Sequence, residues 1–218
     1  PDGQGHRERH GSTGFWNALV TTALPPWDPR ARTPAALKAV DDELAALRRD
    51  KVWREHEPME RTAAAALHPD ANFAALHSVV GVKNAESPDT STHKHKGRVV
   101  VAGHNVRDTT GQYAIFDDMS NTPSSMAACR IAIACEAVDD RLELLQSDCL
   151  RAYTQAAMTG PPTYISLPKK WWPEHWHKFK DPVCRLDKAL YGHPKAGDIW
   201  GAALAEHLKA RGFKSVEG

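Results

Sequence analysis

The stretch LELLQSDCLRAYTQAAMTG, residues 142–160, sets a carboxylate, Asp148, at the close of an apolar run and a ring, Tyr153, five positions later. A carboxylate held on a rigid strand end is a hard oxygen donor of the kind magnesium requires. The same pair also suits an ordinary strand end, with the acid capping a turn and the ring filling a core. The segment alone leaves both readings open.

Two further groups could do chemistry. Lys83, Lys96 and Arg98 sit in or beside two β-branched runs, HSVVGVK (77–83) and GRVVVAG (97–103), whose polar connection NAESPDTSTHKHK predicts a hairpin with a long, positively tipped loop. Further on, KKWWPEHWHKFK interleaves rings with cations, the pattern on which single strands stack. On the alternative reading Trp171, Trp172 and Trp176 cover a hydrophobic flank. His175 and His177 alternate as if on a strand, but no third ligand accompanies them, which argues against a zinc site.

Composition bounds what these groups can belong to. A chain of 218 residues with 41% apolar content has enough hydrophobic material for a real core. Its 28 Lys and Arg against 27 Asp and Glu leave a net charge of +1, so any pull on nucleic acid must be local. Cys129, Cys135, Cys149 and Cys184 form no CxxC pair, which favours reduced thiols and an intracellular setting, in the cytoplasm or nucleus. No apolar run approaches the roughly eighteen residues of a membrane span, and the beginning PDGQGHRERHGS lacks a secretory pattern.

The positioning elements follow from periodicity. Residues 1–32, rich in Gly, Pro, Arg and His, read as a poorly ordered linker containing a stiff LPPWDPR piece. Thr33 as N-cap and Pro34 at the first helical position introduce a helix with Leu37, Val40, Leu44 and Leu47 at helical spacing. Residues 56–76 fit a helical turn or a loop. QYAIF offers a third strand. MAACRIAIACEAV, led by Pro123, Ser124 and Ser125, reads as a buried helix because alanine dominates a run too long for one strand. Strands at TYISL and PVCRL precede a last helix through Ile199, Trp200, Leu204 and Leu208, with Gly212 as its cap. Strands and helices mix without a βα repeat, which makes the class α+β.

Three segments in this order resemble the reverse transcriptase domain of copia-type long-terminal-repeat retrotransposons. They are ALKAVDDELAALRRDKVW, ending at Trp53; HKGRVVVAG, like that family's basic fingers strand; and LLQSDCLRAYTQA with VCRLDKALYGHPKAGDIW, in which Trp200 follows Gly192 by eight residues. The resemblance spans roughly Pro34 to Phe213.

The resemblance implies an RNA-directed DNA polymerase working by two-metal nucleotidyl transfer. Asp148 would be the catalytic carboxylate and a ligand of magnesium (Mg2+). Tyr153 would lie under the incoming sugar and clash with a 2′-hydroxyl, and the amides of Arg151 and Ala152 would face the triphosphate. Arg98, Lys96, Lys83 and Lys195 would contact the nucleotide, while Tyr191, Gly192, Trp171 and Trp172 would contact template and primer. Partners would be an RNA or DNA template–primer, deoxynucleoside triphosphates and the remainder of a Pol polyprotein, with no membrane. Residues 33–140 would form a fingers-like region and 141–218 a partial palm.

Four positions depart from the family's habit. Ala102 stands where a second Lys is usual, Lys195 where Gln is, Gly197 where Pro is and Asp198 where Arg is. The family's paired-aspartate hairpin, Tyr-x-Asp-Asp, is not reached by Gly218, so this stretch is expected to be inactive by itself. Two alternatives accompany the polymerase reading: a non-catalytic nucleic-acid-binding remnant, and an unrelated α+β interaction domain.

Overall fold

The computed structural model describes residues 21–116, 126–139, 141–145 and 148–214. The chain divides into two compact units, one of residues 1–42 with 79–98, the other of residues 43–78 with 99–218. Two long strands and one helix each contribute residues to both units.

In the first unit, strand β1 (Thr21–Leu24) lies antiparallel on the end of β3 (Asn72–Lys83), with Thr21 opposite Lys83 and Leu24 opposite Val80. The return strand β4 (Lys94–Val101) pairs with β3, as the two β-branched runs require. Their connection is itself ordered: the Asp89 carboxylate accepts the Ser91 amide at 2.9 Å, and Asn84 Nδ2 donates to the Thr92 carbonyl at 3.1 Å. Helix α1 (Pro34–Arg49) begins as its sequence demands, with Thr33 Oγ1 accepting the Ala36 amide at 3.3 Å. Val40, Leu44 and Leu47 of α1 are buried, whereas Leu37 faces water.

The second unit is built around parallel pairing of the start of β3 with β5 (Thr163–Ser166), Asn72 opposite Thr163. Antiparallel β6 (Pro182–Arg185) and the two-residue β2 (Met59–Glu60) extend it. Phe73 and Tyr164 stack at 5.7 Å among Ala64, Ala71 and Val183. The alanine run of α2 (Arg61–Leu67) supplies the small residues that let a helix lie this close. Helix α4 (Ala196–Lys209) ends where the Phe213 amide reaches the Leu208 carbonyl at 3.1 Å, with Gly212 at φ 88°.

Several expectations are corrected. Residues 21–32 are not linker, since they form β1 and a 3-10 turn at Pro29–Arg32, capped by the Asp28 side chain. The described part of the run before Asp148 is not a buried strand: residues 141–145 are irregular, with Leu142, Leu144 and Leu145 exposed. The following two residues lie outside the described ones, as do Pro123, Ser124 and Ser125. Helix α3 (Met126–Val138) forms as predicted but buries nothing, with Ile131 63% exposed. QYAIF contributes only an isolated bridge, Tyr113 to Arg107. The ambiguous 56–76 segment resolves into β2, α2 and the beginning of β3.

Gly97 of β4 passes so close to α1 that an added Cβ would lie 2.4 Å from the Ala39 carbonyl oxygen. Backbone cannot yield as a flexible side chain can. Gly97→Ala is expected to lower the urea midpoint by the equivalent of about 1–3 kcal/mol, the range for an overpacked interior. An unchanged midpoint would show that helix and strand separate freely here.

Candidate functional site

The centre of the second unit's site is a backbone clasp. The Tyr191 carbonyl accepts the Val101 amide at 2.8 Å, and the Ala75 carbonyl accepts the Ala102 amide at 2.8 Å. Gly192 has φ 86°, and a Cβ there would stand 2.1 Å from the Val101 carbonyl oxygen. Gly103 is equally confined, with Gly192 oxygen 2.0 Å from where its Cβ would be. Only glycine allows both the positive φ and the approach, so LYGHP is pressed backbone to backbone on the end of β4.

The segment after Asp148 docks on this loop. Arg151 takes the left-handed conformation, φ 52° and ψ 43°, and turns the chain into the 3-10 turn Ala152–Gln155. The turn is tied by Thr154 Oγ1 donating to the Arg151 carbonyl at 3.0 Å, and the Arg151 guanidinium pairs with Asp50. Tyr153 then meets Tyr191, ring centroids 4.6 Å apart, and packs with Ile199 and Trp200 against Ala156, Ala189 and Ala196. A bridge between Ala157 and Lys188 and the Ala189 amide on the Ala156 carbonyl at 2.9 Å complete the junction.

Asp148 itself is exposed. Among the described residues no three His, Cys, Asp or Glu side chains stand together as a metal site would require. The structure places Arg151, Ala152, Tyr153, Tyr191 and Gly192 together and leaves Asp148 in solvent. In the first unit, Lys96 and Arg98 point to one side of β4, where they line a hollow of about 140 Å³ with Thr21, Ala23, Val79 and Gly81. Lys83 is exposed at the end of β3.

The tryptophans take the flank-covering role. Trp171 and Trp176 are buried, and the half-buried Trp172 donates its indole N–H to the Leu167 carbonyl at 2.7 Å. His175 and His177 are not on a strand: two 3-10 turns occupy the segment, His175 Nε2 lies 3.2 Å from the Glu55 carbonyl and His177 lies against Trp172. Proline at 168 and 173 excludes a continuous strand there.

Sequence reasoning missed His193. It is 5% exposed and borders a cavity of about 430 Å³ with Asn72, Phe116, Met158, Thr163, Lys195 and Asp198. Its Nδ1 accepts the Lys195 amide at 3.2 Å, so Nε2 carries the proton and donates to Thr163 Oγ1 at 3.3 Å. The imidazole thus caps the approach to α4. The available signal was an acceptor side chain two residues before a helix's first turn. Lys195, expected at the nucleotide, forms an ion pair with Asp198 at 3.5 Å.

Burial pushes the His193 imidazole down to about 4 from 6.5. Above pH 6.5 the ring is neutral in both folded and unfolded chains; below it the unfolded chain takes up a proton that the folded one refuses. Stability is expected to fall as pH drops from about 6.5 to 4, by up to about 3 kcal/mol. His77, also lowered by burial, adds in the same direction. His193→Gln, compared with the parent by urea unfolding across that window, should flatten the slope; an equally steep slope would remove His193 as its main source.

Over 126 residues, 57% of this chain, the sequence is 30% identical to the "Retrovirus-related Pol polyprotein from transposon RE2" of Arabidopsis thaliana. The match spans 8% of that polyprotein's length. No protein-family profile and no solved structure matches the chain. The likeness supports an origin in a retrotransposon Pol polyprotein.

Proposed function

We propose that the chain is the fingers and first palm portion of a copia-type reverse transcriptase, an RNA-directed DNA polymerase domain cut from a Pol polyprotein. The observation that carries this reading is the contact of Tyr153 with Tyr191, 4.6 Å between ring centroids. It joins the two parts of the third resembling segment, LLQSDCLRAYTQA and VCRLDKALYGHPKAGDIW. The likeness to a transposon Pol polyprotein supports the same origin.

In this reading the tyrosine pair forms the floor beneath an incoming deoxynucleotide. The ring of Tyr153 is held by packing, so a 2′-hydroxyl meets a rigid surface and is rejected by the clash. The left-handed turn at Arg151 presents amides to the triphosphate, and in the first unit Lys96, Arg98 and Lys83 are cations of the kind that meet phosphate. Tyr191 and Gly192 bear on the template–primer through a loop whose backbone is fixed by Val101. A magnesium pair would clamp the attacking and leaving oxygens when bound. Among the described residues no three His, Cys, Asp or Glu side chains gather as such a pair would require, so the donors present do not fit it.

A specific observation favours a second reading, a nucleic-acid-binding remnant. Lys195 and Asp198 occupy positions where the family has Gln and Arg, and they are paired with one another. That pairing diverts Lys195 from a nucleotide.

A longer form of the polypeptide, carrying a Tyr-x-Asp-Asp hairpin, is expected to extend a primer on RNA with deoxynucleotides and Mg2+. Asp148→Asn should reduce the rate at least about 100-fold, the scale of removing one group that stabilises developing charge. Tyr153→Ala should raise ribonucleotide incorporation. Undiminished extension by the Asn variant would take Asp148 out of the metal site, and absence of extension by the parent would favour the remnant.

A further inference from the structure

The carboxylates and lysines around residues 169–181 are put to opposite uses. Glu60 spends its two carboxylate oxygens on the amides of Lys180 and Asp181, at 2.8 and 2.9 Å. Asp181 in turn takes the Arg61 guanidinium at 2.7 Å, and Glu55 takes Arg48 at 2.7 Å. Most of the acid here is consumed in holding the fold, with Glu174 remaining at the surface.

Lys169, Lys170, Lys178 and Lys180 are all exposed. Among the described residues none of the four has a carboxylate within 4.0 Å, whereas Lys38, Lys195 and Lys209 each do. Three of them lie over rings: Lys169 Nζ is 5.7 Å from the Trp172 centroid, Lys170 5.3 Å from Trp171 and Lys178 5.2 Å from Phe179. The rings support the aliphatic stems while the ammonium groups remain in water. With Trp171 and Trp176 inside, the rings are not a platform on which bases can stack.

We propose that residues 169–180 form a phosphate-contacting surface that holds a single strand of nucleic acid by its backbone, without regard to base sequence. Lysine is a point charge that meets phosphate without the planar fork that reads base edges. The segment exposes no large hydrophobic side chain that could enter a membrane. With a net charge of only +1, the whole molecule adds little to the attraction, and these four cations supply a local one. The surface involves neither Asp148 nor the Tyr191 loop. It therefore stands or falls separately from the polymerase reading.

The test uses the 218-residue chain and fluorescein-labelled oligo(dT), with affinity measured by anisotropy over a range of salt. Four phosphate contacts on a single strand give a log–log salt slope of about −3. Replacing all four lysines by Gln should remove a slope of about that size. The pairs Lys169→Gln with Lys170→Gln, and Lys178→Gln with Lys180→Gln, should each remove about half. Lys209→Gln, at a lysine already paired with Glu206, should leave the slope as it was. The proposal is overturned if the four-lysine variant keeps the parent's slope while its urea midpoint is unchanged, if the parent binds no oligonucleotide, or if poly-glutamate displaces the strand as well as unlabelled oligo(dT) does.

Discussion

One hydrogen bond, Val101 N–H to the Tyr191 carbonyl at 2.8 Å, sets the geometry on which the candidate site depends. It can form only because residue 192 has no side chain, since a Cβ would occupy the space of the Val101 oxygen. With the loop pinned, Tyr191 offers Tyr153 a fixed ring to lean on, and the turn between Arg151 and Gln155 acquires a defined position. His193 supports the same loop from its other end by accepting the Lys195 amide. A buried imidazole is a demanding partner for this task, because it accepts only while neutral. Its burial among apolar neighbours such as Phe116 keeps it so at ordinary pH.

What the amino acids reveal locally, the fold confirms. Thr33–Pro34 begins a helix, β-branched runs pair as a hairpin, and glycine closes the last helix, because each is decided by forces acting within a few residues. Burial is a different matter. LELL reads as a buried strand and MAACRIAIACEAV as a buried helix, yet both are exposed, since side-chain hydrophobicity states a demand without naming what meets it. The tryptophans fail in the opposite direction. Rings interleaved with lysine look like a stacking surface until the indole N–H groups of Trp172 and Trp176 are found donating to the carbonyls of Leu167 and Glu55. For His193 only the capping contact to Lys195 was legible locally; its partner Thr163 and the cavity it borders are assembled by tertiary contact.

Charge is distributed with similar economy. Arg54 binds Asp187 at 2.9 Å, which raises the guanidinium pKa further, while Arg61 and Arg48 are also paired. Arg61 meets Asp181 through two guanidinium nitrogens and Arg54 meets Asp187 through Nε, each joining segments distant in sequence. The lysines of residues 169–180 are left outside. A near-zero net charge therefore conceals a division of labour: arginine and carboxylate hold the second unit together, and lysine presents its field to solvent.

Helix α3 shows how far local propensity can carry an element without packing. Its thirteen residues bury nothing, and Ile131, Ile133 and Val138 are all more than half exposed. An isolated helix of that length is marginal in water even when alanine-rich, because nucleation fixes several residues for its first hydrogen bond. Alanine at five of its positions keeps the backbone cost low, but low cost is not stabilisation. The apolar side chains are therefore a source of cohesion that this conformation does not use. Removing those isoleucines from water is the term that would add most to the stability of such a helix.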